Sequence, residues 1–568
     1  MIIGDIVNTN QEVNMKTKNK LELTWIGKES RKKIEPRILV EDKSKNYGDT
    51  SIGNMLIHGD NLLALKSIES EFANSIKCIY IDPPFNTGAA FEHYNDNLEH
   101  SIWINLMYKR LVILHNLLKD DGVILIEIDD NEMPYLRVIL DEIFGRDKFV
   151  AQISVKSNNI SGNKTANKEK TILRNKDNII VYKKGDNLRV KPQYVERTRW
   201  DTHYNTYIVF DEQNNVVEMR KFKDVLIENG IIGDKETVKE DILQNKDFYK
   251  FILKHKKNIC RFVNSIPKDL KELSLKHKDE IVSLGEDSDN IRYAYNGNRI
   301  SFLDSSIKVI DKEEKFTQLL GDLWTDIDFQ NTQNEGGVSF PANKKPEALL
   351  RRVLDMFTEE GDYVLDSFLG SGTTTAVANK MNRRWIGIEM GEHIYSHCIV
   401  RLNNVIDGTD KSGISKYIDY KANGGYKFYE LAPSLLNKDK YNNWIISDEY
   451  DADMLAEAMA KHNGFKYIHE QDVFYKQGFS SEKDFIFTTT NYVNLKYLDM
   501  IHELLAKDES LLICCKTFDE ECESKYNNIS IQKIPQSILK KYEFGDVDYT
   551  LNVEECLSDE ESEEVWYE

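Results

Sequence analysis

The chain has 568 residues, with 75 Lys and Arg against 95 Asp and Glu, a formal charge of −20. Hydrophobic residues make up 40% and aromatics 10%, which excludes wholesale disorder, and the length allows three or four domains. No apolar run approaches the roughly 18 residues of a membrane span, and MIIGDIVNTNQEVN lacks the basic and apolar regions of a secretory signal. A cytoplasmic protein with no membrane partner is therefore expected. Seven cysteines without a C-x-x-C spacing argue against a disulfide framework or a zinc site.

Residues 1–50 are polar and mixed, with Trp25 and Ile26 interrupting a Lys-rich stretch, and read as an arm rather than core. NMLIHGD (54–60) is a short strand, and Asp60 is placed to cap the helix NLLALKSIESEF, whose Leu62, Leu65 and Ile68 share a face. IKCIYI (76–81) is a buried strand stopped by Asp82-Pro83-Pro84. An amphipathic helix, WINLMYKRLVILHNLLKDDG, is expected to end at Gly122, and strands GVILIEID and DNIIVYKK follow. This alternation predicts a parallel sheet covered on both faces. The rhythm weakens from about 185 to 320. It returns with the helix KPEALLRRVLDMFTEEG, strand YVLDSF, a glycine turn, helix TTTAVANKM and strand RWIGIE. A further α/β region beyond 435 contains DFIFTTT, a helix near 494–506 and SLLICCK, with Cys514 and Cys515 read as core thiols.

Charge is segregated along the chain. Residues 552–568 carry eight acids and no Lys or Arg, whereas 151–200 hold twelve basic against four acidic residues and 246–278 ten against three. A solvated face is the ordinary reading of such runs. A phosphate-contacting surface is the other.

Two strand ends carry chemistry. In Asp82-Pro83-Pro84-Phe85-Asn86-Thr87-Gly88, the prolines lock the backbone and leave nearby carbonyls free as acceptors. That arrangement suits a clamp for an exocyclic amine. One hydrogen goes to the Asp82 carboxylate and one to the Pro83 carbonyl, while Phe85 stacks on the base and the nitrogen lone pair is aimed at an electrophile. A rigid strand-exit turn is the plainer alternative. In Asp366-Ser367-Phe368-Leu369-Gly370-Ser371-Gly372-Thr373-Thr374-Thr375, glycines permit a tight turn before a helix whose N-terminus attracts a carboxylate. Thr at 375 departs from the dinucleotide pattern, and the P-loop lysine is missing. Glu389, ending the next strand, is placed for ribose hydroxyls. A nucleoside bearing an amino-acid carboxylate, S-adenosylmethionine, fits better than NAD or ATP.

Taken together, these motifs resemble the β-class DNA adenine-N6 methyltransferases, in which the amine clamp precedes the cofactor glycine loop as a circular permutation of the usual order. The resemblance covers about 50–185 and 320–430, and includes IHGDNLLALK, GVILIEIDDNE and NKKPEALLRRVL. It implies a Rossmann-like, circularly permuted α/β methyltransferase fold and adenine contact by Asp60. It also implies a methionine side lined by Lys344 and Pro346, with Phe368, Gly370, Gly372 and Thr373 as cradle beside Asp366. ELTWIGKESRKKIEPRILVED, IDPPFNTG and GGYKFYEL are most similar to modification subunits of type III restriction systems. Phe85 replaces the commoner Tyr of that family, and Asp82, where cytosine-N4 relatives usually carry Ser, favours adenine.

The organisation expected is an N-terminal arm (1–50), a clamp-bearing catalytic part (51–185), a target-recognition region (186–320, its basic surface beginning near 151), a cofactor part (321–434), a C-terminal α/β interaction module (435–552) and an acidic tail (553–568). Double-stranded DNA is the expected partner, met by Lys156, Lys164, Lys168, Arg174, Lys254, Lys256 and Lys257, and the base must leave the helix to reach Asp82. A homodimer is expected, with a restriction or translocase subunit as a further partner. Cytosine-N4 methylation, a recognition subunit that only addresses a nuclease, and a protein or RNA methyltransferase are the competing readings. His58 reads as structural. Asp129, Asp130 and Glu132 read as a helix cap rather than a metal site.

Overall fold

The computed structural model describes residues 23–25, 28, 34–85, 100–158, 169, 172–213, 215–285, 291–330, 332–340, 344–468 and 473–542. Asn86, Thr87, Gly88, Lys164, Lys168 and the acidic tail lie outside them.

Its largest unit is an eleven-stranded sheet. The strands are β1 (Leu39–Glu41), β2 (Met55–His58), β3 (Ile76–Ile81), β4 (Leu118–Ile128), β5 (Phe149–Lys156), β6 (Lys176–Lys183), β7 (Leu323–Trp324), β8 (Tyr363–Asp366), β9 (Arg384–Glu389) and β10 (Gly425–Leu431). They lie in the order β1-β10-β2-β9-β8-β3-β4-β6-β5-β7, and Tyr47–Gly48 pairs with β10. The six strands from β10 to β4 are parallel. The sheet is nevertheless mixed, because β6 runs antiparallel to both β4 and β5, and β1 antiparallel to β10. That corrects the expectation of a parallel sheet: β6 pairs in reverse with β4 from Val123↔Lys183 to Ile128↔Asn178, so the sheet turns antiparallel beyond β4.

Alternating residues of the central strands serve opposite cores, as a two-residue period demands. Ile57, Ile79, Ile81, Ile124, Ile126 and Leu365 pack with α1 (Asn61–Phe72), α2 (His100–Leu117) and α3 (Met133–Phe144). Leu56, Cys78, Tyr80, Val123, Leu125 and Val364 pack with α4 (Glu347–Phe357), α5 (Thr373–Lys380) and α6 (Ile399–Ile406). The helices between β2 and β5 thus cover one face, and those between β7 and β10 the other.

Two local expectations are corrected. Helix α2 stops at Leu117 and β4 starts at Leu118, five residues before Gly122, because β4 pairs with β3 from Ile76↔Leu118 onward. Pairing with a buried neighbour outcompetes helix propensity there. The N-terminal segment is not a free arm throughout. Leu23, Trp25 and Ile34 pack on the first core, Trp25 meets Tyr108 edge-on at 5.3 Å, and Leu39–Glu41 is β1.

The 186–320 region contains a six-stranded sheet in the order 216–221, 206–210, 259–263, 298–302, 292–295, 281–284, antiparallel at every pairing. It has its own core of Trp200, Tyr204, Phe222, Phe248, Phe251 and Phe316 among others. The C-terminal region holds a five-stranded sheet including Asp484–Thr489, Ser510–Cys515 and Ile529–Lys533, with Cys514 and Cys515 buried. Among the described residues no helix is long and apolar enough to cross a membrane.

Ile79 is fully buried in β3, so Ile79→Ala is expected to cost about 2–5 kcal/mol, read as a lower thermal midpoint of the full chain.

Candidate active site

Because β2, β9, β8 and β3 are parallel neighbours, their C-terminal ends share one edge of the sheet. Ligands of open α/β sheets collect outside that edge. Asp60 follows β2, Asp82 follows β3, Asp366 ends β8 and Glu389 ends β9. Two segments nearly 300 positions apart in the chain are brought side by side by one pairing, Leu365↔Ile79.

The proline exit of β3 is pinned from outside the strand. Trp103, fully buried on α2, donates its indole N–H to the Pro84 carbonyl at 2.9 Å. Pro83 and Pro84 are buried, while Asp82 and Phe85 are partly open. The Asp82 side chain is 22% exposed, and its Oδ2 lies 3.2 Å from Lys345 Nζ. Its Oδ1 is buried without a hydrogen-bond partner among the described residues. The same Lys345 ammonium donates to Glu127 Oε1 at 2.8 Å and stands 5.1 Å from the Phe85 ring centroid. Glu127 is fully buried and also accepts from the Tyr80 hydroxyl. Asp177, at the start of β6, is within electrostatic reach of Lys345. One ammonium therefore faces three carboxyl groups. Burial raises Asp82 well above the usual carboxylate range, with Lys345 pulling it down and Glu127 and Asp177 pushing it up. Asp177 is raised for the same first reason, burial. Tyr80 is driven far up by burial and by Glu127, so its hydroxyl stays a donor.

The glycine loop is held by carboxylates on both sides. Asp366 Oδ1 accepts from Phe368 N at 3.0 Å and Oδ2 from the Thr374 hydroxyl at 2.6 Å; burial pushes Asp366 up to about 7. Gly370 and Gly372 have φ of +53° and +75°, the left-handed region that glycine alone enters freely. A Cβ built on Gly370 meets nothing within 4 Å, so the loop borders open space. Gly372 caps α5, and Thr373 begins it. Glu389 Oε2 accepts from Gly370 N at 2.7 Å, and Oε1 from Met390 N and Gly391 N, both at 2.9 Å. Burial opposes its charge, but His393 and the Gly391 and Gly370 amides hold it below its ordinary value. Asp60 caps α1 through Leu63 N at 3.0 Å and meets Arg110 at 3.2 Å. Asn61 next to it donates to the Ser367 carbonyl at 2.7 Å, tying β2 to the loop.

Lys344 is buried, and its ammonium donates to the carbonyls of Gln333 (3.3 Å), Glu335 and Val338 (2.7 Å), closing the 332–338 segment. Burial and Arg401 lower it to about 8. Pro346 precedes α4 as its cap residue. Beneath the glycine loop lies a fully buried charge network. Glu347 receives Lys380 at 2.7 Å and Arg401 at 2.8 Å, Lys380 also meets Asp410 at 2.6 Å, and Arg401 donates to the Thr373 hydroxyl at 2.7 Å.

The basic residues separate into two groups. Lys156, Lys254 and Lys257 are exposed, and Lys156 lines a cleft of about 200 Å³ with Ser157, Asn158 and residues 325–330. Arg174 is instead clamped on Asp129 at 2.8 and 3.0 Å and on Asn131 at 3.0 Å, and Lys256 is paired with Glu314. Asp130 is likewise held by Lys176 at 2.7 Å, and Asp129 Oδ1 accepts from Asn131 N at 2.9 Å within the turn before α3, whose N-cap residue Glu132 makes no side-chain cap bond, so the expected helix cap is not formed. His58 is structural in its bonding, shared between Glu430 at 2.7 Å and the Tyr395 hydroxyl at 2.8 Å.

Lys345, Glu127, Tyr80, Glu347 and Arg401 were not singled out from sequence. Glu127 alone carried a signal, a carboxylate inside the apolar run VILIEI, since an interior charge needs a partner.

A family model described as DNA methylase matches residues 76–400. The chain is 36% identical over 439 residues to the probable type III restriction-modification enzyme HindVI Mod subunit of Haemophilus influenzae, covering 72% of this chain and 58% of that one. It is 25% identical over 495 residues to the type III restriction-modification enzyme EcoP15I Mod subunit of Escherichia coli, covering 75% and 73%. To the type II methyltransferase M.KpnI of Klebsiella pneumoniae it is 33% identical over 171 residues, covering 28% and 40%. The chain thus spans little more than half the length of the first of these relatives.

Glu347→Met strips the counter-charge that Lys380 and Arg401 share. Breaking such a buried pair costs about 3–5 kcal/mol, so a clear fall in thermal midpoint is expected.

Proposed function

The chain belongs to the DNA methylase family, and from that premise we propose that it transfers a methyl group from S-adenosylmethionine to adenine N6 at a specific sequence in double-stranded DNA. The observation that carries this reading is Asp82. A carboxylate oxygen without a partner among the described residues sits at a proline-locked strand end, on the strand adjacent to the glycine loop.

When bound, S-adenosylmethionine supplies a methyl group on a sulfonium centre. Residues fit for it are present. Gly370 borders open space, Glu389 ends β9 bonded to the Gly370 amide and so stands beside the loop where a ribose hydroxyl would lie, and the α5 N-terminus suits a carboxylate. Asp60, Lys344, Pro346, Asp366, Phe368, Gly372 and Thr373 complete the set by position. Lys344 and Asp366 do so indirectly, since their polar atoms are bonded to the 332–338 segment and to the loop itself.

The adenine must leave the duplex to reach this edge, at a cost of a few kcal/mol of unstacking. Phe85 offers its ring to the base plane, Asp82 Oδ1 accepts one N6 hydrogen, and the Pro83 carbonyl accepts the other. Both bonds pull hydrogens into the plane of the clamp and direct the nitrogen lone pair outward. Once nitrogen carries four bonds it must shed a proton. Asp82, whose affinity for a proton is raised by burial, receives it at Oδ1.

We read residues 186–320 as the target-recognition region, with phosphates met by the exposed Lys156, Lys254 and Lys257 rather than by Arg174 and Lys256, which already have carboxylate partners. Similarity to Mod subunits over 72% and 75% of the chain supports the role of a modification and specificity subunit. It would be cytoplasmic and dimeric, and work with a separate restriction or translocase subunit, with 435–552 as the docking module.

Asp82→Ala is expected to abolish methyl transfer to DNA while S-adenosylmethionine binding by calorimetry persists, and Gly370→Val to lose that binding. Retained transfer by Asp82→Ala would end the clamp reading. Neutralising Lys156, Lys254 and Lys257 to Gln should flatten the log K against log salt slope for DNA by about 0.9 per lost phosphate contact; an unchanged slope would assign them to ordinary solvated surface.

A further inference from the structure

We propose that Lys345 and Glu127 bias the charge of Asp82 in opposite directions, with Lys345 as a positioning residue that occupies Oδ2 and leaves Oδ1 to the target amine. The proposal rests on the methyl-transfer reading and adds two residues from outside the amine-clamp motif.

The geometry is that of a shared ammonium. Lys345 lies 3.2 Å from Asp82 Oδ2 and 2.8 Å from Glu127 Oε1, with its side chain 12% exposed and Glu127 fully enclosed. Its neighbour Lys344 is turned to three loop carbonyls, and Pro346 starts α4 at once, so the backbone fixes which lysine reaches the clamp. Four groups among the described residues bear on Asp82 and its partners: Tyr80 from β3, Glu127 from β4, Asp177 from β6 and Lys345 ahead of α4. Three of the four groups disfavour a negative charge on Asp82 or cannot neutralise it. Only Lys345 favours it.

This balance matters because the two states of Asp82 do different work. Ionised, Oδ1 accepts an N6 hydrogen. Protonated, the carboxyl is itself a donor at one oxygen and loses its pull on the amine. Without Lys345 the carboxyl would hold its proton to a higher pH, since an opposite charge at such distance lowers a carboxyl by about one to three pH units. Without the Glu127 charge, the ammonium would be left to Asp82 and the neighbouring repulsion would fall. The two changes must therefore act with opposite sign. Glu127 is anchored by Tyr80, which donates to Oε2 and so leaves Oε1 for the lysine.

The experiment is the pH profile of kcat/KM for the full chain, with labelled S-adenosylmethionine and DNA carrying its target sequence, because kcat/KM reports groups of the free enzyme. Lys345→Met is expected to move the acid limb up by about one pH unit or more. Glu127→Gln is expected to move it down, and Lys345→Arg to return it towards wild type. A merely structural role would lower the rate without moving the limb. Limbs that coincide across the variants, or shift in the same direction for Lys345→Met and Glu127→Gln, overturn the proposal. So does a faster neutral-pH rate in Lys345→Met, which would mark the ammonium as a plug over Phe85. Thermal melting accompanies each variant, and should Lys345→Met fail to fold, Glu127→Gln and Lys345→Arg decide. If the wild-type chain transfers no methyl group to DNA, the underlying reading falls and this one with it. If wild type transfers and the limbs do not diverge, only the Lys345–Glu127 assignment falls.

Discussion

The parallel pairing of β8 beside β3 is the constraint on which the site depends. Neither Asp82 nor the glycine loop is a site alone: one is a strand exit, the other a tight turn. Register Leu365↔Ile79 brings both exits to the same edge, about 4.8 Å apart in the hydrogen-bonding direction. Everything else secures that edge. Helices α1–α3 and α4–α6 bury the two faces, Trp103 fixes the proline exit, and Asn61 ties the loop to β2. The pairing joins segments separated by the whole of residues 186–320, whose six-stranded sheet is separate from the eleven-stranded one.

The edge is dense in buried charge, and each charge has a geometric task. Glu347, Lys380, Asp410 and Arg401 are neutral as a group of two acids and two bases, and through Arg401 they grip the Thr373 hydroxyl below the loop. The clamp cluster is not neutral. Among the described residues Asp82, Glu127 and Asp177 face a single ammonium, so the cluster holds proton affinity that a balanced network would not. Charge beneath the glycine loop is thus compensated, whereas charge at the proline exit of β3 is left short of cations among the described residues. Perturbed groups concentrate where chemistry is done, and here the contrast lies within one domain.

The central strands, the capping of α1 by Asp60 and both strand-end motifs were legible from sequence because each is local: an apolar run, a turn residue and a periodic helix in succession. The end of α2 was not, since Leu118 is drawn into β4 by pairing with Ile76 rather than by anything in its own segment. The 186–320 sheet was not legible because its strands are short and partly exposed; 216–221 has no buried residue, so its alternation is too weak to separate from loop. Trp25 read as part of an arm because its partner, Tyr108, lies more than eighty residues away. Lys345 is the most instructive miss. Two adjacent lysines before a proline look interchangeable in sequence, and only the fold sends one to loop carbonyls and the other to the clamp.

The same lesson applies to the net charge. A value of −20 argues against a polyanionic partner only if charge is spread evenly and every basic residue is free. Neither condition holds. Eight acids lie in the last 17 residues, while the 151–200 and 246–278 segments are strongly basic. Within those segments Arg174, Lys176 and Lys256 are already matched to Asp129, Asp130 and Glu314. Counting basic residues therefore overstates the cations that a phosphate backbone could meet, just as the net charge understates them. The quantity that decides affinity for a phosphate backbone is the number of cations free to release counterions, and that number is set by pairing in the folded chain.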